Sequence, residues 1–436
     1  MREQHISRQQ QTAAAFAAEH VEVSRRYFLR LGAAGAAGLS PLAPLAPLAQ
    51  SPLWAEGADG DAALDALVRE LAYLTPPLEF RSVERGDPLP YTLPLEKRRA
   101  VGLERETWKL EVIPDADTPA EVENPLSEAR GTAFTFDDLL EMAQTQSVRF
   151  LKIMTCNNIG APLGMGLWEG VPLKHVIWKA RPASGVRRVF YYGYHNDDPE
   201  QMFRSSLPIG RVLEEPPGFH PVILAYKLNG EFLPGVRGGP VRLIVPEAYG
   251  FKSVKWLTHV VLTDLYHAND TYATQSPNDI DSPMKTFARF LHRPERVVAG
   301  QPIPLTGMAQ AGMSGLTRVQ YSVTASGAKL DDDPYFTAAP WVDAAILPPP
   351  ANWGGGLPDG KLPPSVEGFD PDGNPRKWPM DYAMAHWAAL APPLTPGAYD
   401  IRCRTIDRNG IAQPMPRPFK KSGRNAIETL SITVEA

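Results

Sequence analysis

The chain has 436 residues, which suggests two domains, each large enough for its own core. Its 44 Lys and Arg against 49 Asp and Glu leave a formal charge of −5, which gives no reason to expect nucleic acid or an acidic membrane surface as a partner. The 45 prolines favour long ordered loops between strands over long helices.

Near the start, Ser24-Arg25-Arg26-Tyr27-Phe28-Leu29-Arg30 joins an arginine pair to a weakly apolar Ala/Gly/Leu/Pro stretch ending near Ala49. This is the pattern of a twin-arginine export signal. Pro41, Pro44 and Pro47 would break a spanning helix, so residues 1–55 read as a removable signal that sends the chain to the periplasm. No other run approaches the ~20 apolar residues a membrane span needs. From Asp61 to Leu74, apolar residues at helical spacing predict a short amphipathic helix. The prolines of residues 75–90 then impose an extended segment that carries Arg81 and Arg85.

Residues 108–113 alternate as a strand, and Thr135 is an expected N-cap with acids in the first turn after it. The apolar run from Phe150 to Thr155 predicts a strand that ends on Cys156, one of only two cysteines. A lone strand-end thiol is commonly inert packing. Here, however, a loop rich in Asn, Gly and Pro follows, whose backbone can approach a ligand closely. A short helix over 173–180 and a strand from Val189 to a polar tip at His195-Asn-Asp197 come next.

Residues 222–228, 241–245 and 256–262 read as strands, the first followed by an Asn229-Gly230 hairpin turn. Arg242 stands inside an apolar strand, where an unpaired guanidinium is costly to bury. Either it reaches solvent from a strand face or it needs a buried anion. A phosphate suits its planar five-donor group, with Ser253 and Lys255 placed to complete the cradle. Beyond Thr263 the chain changes character, with a linker to Pro283 and then strand-like patches at 318–323, 399–405 and 429–434. Strands separated by Gly/Pro turns indicate a β-sandwich, with Cys403 in its core and a long Trp-, Pro- and Gly-rich insertion over about residues 329–387.

Two stretches resemble a known family. Cys156 followed by Gly160, Gly164, Trp168-Glu-Gly170 and Val171-Pro172-Leu173 resembles the molybdenum-binding loop of the sulfite oxidase family of molybdopterin enzymes. The segment Leu224–Gly230, Gly238–Pro246 and Tyr249–Leu257 is similar to that family's pterin-holding segment. The resemblance implies an α+β fold, with a sulfite-oxidase-type molybdopterin domain over 56–275 and an immunoglobulin-like β-sandwich dimerisation domain over 283–436. It implies one molybdenum–molybdopterin per chain, with Cys156 as the metal ligand and His195, Arg237, Arg242, Ser253, Val254 and Lys255 around the pterin. Tyr272, Arg81, Arg85 and Arg376 fall where the resemblance puts substrate-facing residues, Arg376 as the arginine lent by the second domain.

The pattern also departs from that of sulfite oxidases proper. Asn157-Asn158-Ile159-Gly160-Ala161 replaces the Ala-Gly-Asn-Arg-Arg usual after the cysteine, which leaves Ala161 where a dianion-holding arginine would stand. The loop is closer to the broader branch that includes sulfane dehydrogenases and methionine sulfoxide reductases. The expected function is exported oxo-transfer on a small sulfur-containing substrate. With no haem motif in the chain, its electrons would pass to a separate c-type cytochrome. Two other readings stand beside it, a reductase of sulfoxide-type substrates and a non-catalytic binding or assembly module that keeps the family fold.

Overall fold

The computed structural model describes residues 58–436 apart from 84–85, 199–200, 269, 272–278, 295, 329–334, 418 and 420. The expected export signal, Arg85 and Tyr272 lie outside the described residues. No helix among the described residues is long and apolar enough to cross a membrane.

Helix α1 (Ala58–Arg69) opens the described chain, followed by α2 (Leu95–Ala100) and strand β1 (Lys109–Pro114). Strand β2 (Phe134–Thr135) runs directly into α3 (Phe136–Gln146). The expected cap is there and is reciprocal. Thr135 Oγ1 accepts from the Asp138 N–H at 3.2 Å, and Asp138 Oδ2 accepts from the Thr135 N–H at 2.8 Å. Strands β3 (Val148–Thr155) and β4 (Pro162–Pro172) form a hairpin around the Cys156 loop, with α4 (Leu173–Lys179) after it. Then come β5 (Arg188–Gly193), β6 (Arg204–Pro208), α5 (Ile209–Leu213), β7 (Ile223–Leu228), β8 (Glu231–Phe232), β9 (Arg242–Ile244) and β10 (Leu257–Thr263). The β7–β8 turn has Asn229 at φ 52° and Gly230 at φ 86°, the left-handed pair that an Asn-Gly hairpin favours.

These strands make two sheets. One runs β2-β1-β10-β5-β6, with β1 and β10 parallel; the other runs β3-β4-β7-β8, with β9 added on β7. A shared core joins them, with Leu110, Val112, Val189 and Val260 of the first packed with Val171, Leu224 and Leu243 of the second. Each such side chain contributes roughly 1.5–3 kcal/mol of burial. Every residue from Phe150 to Thr155 is buried, so β3 is covered on both faces.

The later half holds β11 (Phe287–Phe290), β12 (Val297–Val298), β13 (Ile303–Gln310), β14 (Arg318–Ala325), β15 (Val342–Ile346), β16 (Met384–Ala391), β17 (Gly397–Ile406) and β18 (Glu428–Glu435). Eight strands form one hydrogen-bonded path, β11-β13-β16-β15-β14-β17-β18-β12. The first residues of β15 pair with β14 and its last two with β16, while β11 packs against β17 and β18 far along the path. The sheet therefore curls over a core that contains Leu305, Val319, Trp387, Ile401 and Cys403.

Two sequence expectations need correction here. The first helix ends at Arg69, and Tyr73 and Leu74 enter a core that β3 and β4 share with the later half, where Leu74 N donates to Trp353 O at 2.8 Å. The stretch 329–387 is also more than an insertion, since it contains β15 and the start of β16.

Candidate functional site

A cleft of about 140 Å³ opens where β3 and β5 end, and it is walled by residues from both five-stranded sheets. It gathers eight of the residues singled out from the sequence, namely Arg81, Cys156, His195, Arg237, Arg242, Ser253, Val254 and Lys255.

Cys156 is the first residue past β3 and is half-buried, its Sγ 3.9 Å from Asn157 Oδ1. The later half of the chain fixes this loop. Arg289 Nη1 donates to Gly160 O at 2.6 Å, and the Arg424 N–H donates to Asn157 O at 3.2 Å. The Thr155 hydroxyl bonds Gln310 Oε1, and Gln310 Nε2 donates to Lys285 O at 2.8 Å. A thiol held on a tethered loop can meet a ligand at low ordering cost.

Arg242 is 6% exposed, which excludes the reading that it reaches solvent from a strand face. Its Nε donates to Ser253 O at 2.9 Å and its Nη1 to Arg237 O at 3.2 Å, while Nη2 lies 3.7 Å from Met154 Sδ. Its guanidinium carbon sits 5.6 Å from the Trp168 ring centroid. Among the described residues no carboxylate pairs with it. Burial, and next the Arg237 charge, push its pKa down to about 9, so the group remains charged at neutral pH.

The rest of the cradle lies around it. Arg237 is buried, and its Nη2 donates to Ser82 Oγ at 2.7 Å. Ser253 Oγ accepts the Val245 N–H at 3.1 Å. Lys255 Nζ donates to Val236 O at 3.1 Å and lies 5.2 Å from the Trp256 ring centroid. Trp256 itself has φ 53°, a left-handed conformation costing roughly 1–2 kcal/mol in an L-residue. Its Nε1 donates to Gly235 O at 2.8 Å, and Tyr91 stacks on its ring, so neighbouring contacts hold the strained residue that follows Lys255.

The donor set therefore joins one thiol to guanidinium, ammonium and hydroxyl groups in one cleft. It fits a group that carries a soft metal at one end and a phosphate at the other. Phe80, Phe251 and Trp256 fall in stretches singled out from the sequence, but the apolar wall they make with Val83, Leu163 and Phe203 was not anticipated. Arg81 is exposed on the segment beside Leu163, whose carbonyl accepts its N–H at 2.8 Å. Arg376 does not line the cleft. Its Nε donates to Phe369 O at 2.9 Å and its N–H to Gly368 O at 2.8 Å, within a turn of the later half.

Comparison with known proteins agrees with this donor set. Residues 99–271 match the oxidoreductase molybdopterin binding domain family. The chain is 34% identical over 122 residues to the mitochondrial sulfite oxidase of Macaca fascicularis, covering 28% of this chain and 21% of that protein. It is 29% identical over 146 residues to an NADH nitrate reductase of Lotus japonicus, covering 32% of this chain and 16% of that protein. The matched part is thus about a fifth or less of the length of these curated relatives. The crystal structure of the sulfane dehydrogenase SoxCD from Paracoccus pantotrophus superposes with a TM-score of 0.53 at 18% identity, over 90% of this chain and 97% of that chain, which is a likeness of fold.

Proposed function

The chain belongs to the sulfite oxidase family of molybdopterin oxidoreductases, and on that premise we propose that it is an exported, periplasmic enzyme carrying out oxo-transfer on a small sulfur-containing substrate. The observation that carries this reading is Arg242, a buried cation with no carboxylate partner among the described residues, in the same cleft as the Cys156 thiol. A scaffold that had lost its cofactor would gain nothing from burying both.

When bound, the molybdenum–pterin group supplies a two-electron redox centre. Cys156 would hold its metal through sulfur. Arg242, Arg237, Ser253 and Lys255 would clamp its phosphate, while His195 and Val254 would border the pterin. Arg81, exposed beside the Leu163 wall, offers a cation to an incoming oxyanion, and Arg85 and Tyr272 remain assigned to the substrate by resemblance. Oxidation of sulfite to sulfate consumes one water and releases two protons and two electrons, which leave one at a time to a separate c-type cytochrome. The later half, residues 283–436, is assigned to an immunoglobulin-like dimerisation domain, and residues 56–275 to the cofactor domain.

The apolar wall and Ala161 favour a substrate larger and less charged than sulfite, and a reductase of sulfoxide-type substrates is the second reading. The test is steady-state kinetics with sulfite and an artificial acceptor, on the natural protein and on Ala161→Arg. A bidentate guanidinium is worth about 1.5–3 kcal/mol, so the variant should bind sulfite roughly ten- to a hundredfold more tightly. Tight, efficient sulfite turnover by the natural protein, unchanged by the substitution, would show the substrate reading to be wrong.

A further inference from the structure

Lys152 is fully buried and belongs to none of the groups assigned above. It lies on β3 four residues before Cys156, on the same strand face as Met154, the residue that touches Arg242. Its Nζ donates to Pro246 O at 2.8 Å and to Ala248 O at 3.0 Å, and lies 3.7 Å from Met284 Sδ. Those two carbonyls open the loop that carries Ser253 and Lys255. Gly250 of the same loop is pressed against β3, where a Cβ would sit 3.1 Å from Met154 Sδ and 3.4 Å from Thr155 O. Lys152 therefore ties the strand that delivers the thiol to the loop that delivers the phosphate clamp.

The charges facing it leave it uncompensated. Glu247 is the carboxylate that acts on it, and that carboxylate is already held by Arg211 at 2.6 and 2.9 Å. Arg242 faces it with like charge. Tyr249 from the loop and Tyr382 from the segment beside β3 bring phenols that burial keeps neutral. Burial is the largest influence on the amine and lowers its pKa to about 7.

We propose that Lys152 is a positioning residue for an anion seated at Arg242, holding the thiol strand to the phosphate loop and taking up one proton as the anion binds. The inference rests on the reading that the cleft holds an anionic cofactor. The step is acid–base only: the amine of Lys152 forms one N–H bond with a proton from solvent, and no electrons move. A dianion beside Arg242 offsets the like charge that disfavours the ammonium. By reciprocity, the ammonium then strengthens the anion's binding by the same factor.

The test uses the full chain prepared without cofactor and sulfate as the probe, because sulfate stays a dianion throughout the range used. Its dissociation constant is read at constant ionic strength from the saturable rise in unfolding temperature. A Cys156→Ser background removes the thiol from the titration. Sulfate affinity should fall about tenfold between about pH 7 and about pH 9 in that background, and most of the fall should be lost in Lys152→Met, the remainder being the onset of Arg242 deprotonation near pH 9. Lys152→Arg keeps its charge across the range, so it should bind sulfate with only that remainder. If Lys152→Met does not fold, Lys152→Arg decides alone. The same slope with and without Lys152, or the full slope retained in Lys152→Arg, overturns the inference while leaving the cleft reading intact. No saturable sulfate binding at all overturns both.

Discussion

Beside the cleft, Lys252 meets Asp270 at 2.8 Å with both side chains buried, and Arg211 grips Glu247 through two hydrogen bonds. At the cleft Arg242, and on the strand leading to it Lys152, hydrogen-bond only to carbonyls and thioethers. Both regions desolvate cations, yet only one of them supplies the counter-charge from the chain. Removing one partner from a buried pair leaves an unanswered charge, whereas a cation buried without an acid is already unanswered. The first arrangement holds the fold together. The second waits for an anion from outside.

The sharpest way to break that comparison is to delete one group from each region. Asp270→Ala leaves the Lys252 ammonium buried alone and should destabilise the chain by about 3–5 kcal/mol. Arg242→Met removes a cation that no acid answers, so the cofactor-free chain should be as stable as the natural one or more so. The same substitution should lower retention of the pterin, because the clamp loses its central guanidinium. Denaturant unfolding of the cofactor-free variants, with pterin fluorescence on the loaded ones, reads both quantities. Equal destabilisation by the two substitutions would erase the distinction.

A smaller effect separates the regions by pH. In the later half, His386 is buried beside Tyr73, and burial pushes its pKa down to about 4 from 6.5. The unfolded chain then binds the proton first as pH falls, so stability drops between about pH 6.5 and about pH 4, by at most about 1.4 kcal/mol per unit. Lys152, lowered from 10.5 to about 7, works in a different window. Between those values the unfolded chain keeps a proton that the folded chain gives up, so stability rises with pH from about 7 to about 10.5. His386→Gln should lessen the slope of the acid window, which His259 and His175 share, and Lys152→Met that of the alkaline window, which Lys285 and Lys252 share, in unfolding midpoints taken across pH. Seated cofactor should remove only the Lys152 share of the alkaline window. Loss of both windows in either variant would contradict this account.

Much of the cleft was legible because its chemistry is local in the chain. Cys156 ends an apolar run, and Arg242, Ser253 and Lys255 lie within fourteen consecutive residues. A guanidinium in an apolar strand announces a burial problem without any structure. Contacts distant in sequence carried no such signal. Arg289 on Gly160, Gln310 on Thr155 and Arg424 on Asn157 each join residues more than a hundred positions apart. Arg376 was placed by the position of the second half alone, and its guanidinium is occupied by Phe369 O instead. Lys152 read as an ordinary residue in a strand, because sequence cannot show that both faces of β3 are covered. Strand β13 was missed since Pro304 and Gly307 interrupt its pattern. Gly307 is there because the Arg289 carbonyl and the Trp387 ring take the space a side chain would need.

The central claim is that this cleft holds a molybdenum–pterin group through Cys156 and a phosphate clamp centred on Arg242. Metal and pterin analysis of the purified full chain tests it directly, with Cys156→Ser measured in parallel. The account predicts about one molybdenum and one pterin per natural chain, since one thiol lines the cleft. It predicts a folded Cys156→Ser protein that retains pterin through the clamp and has no turnover. A folded natural chain that carries neither molybdenum nor pterin after expression with both available, or a Cys156→Ser variant with full activity, would contradict it.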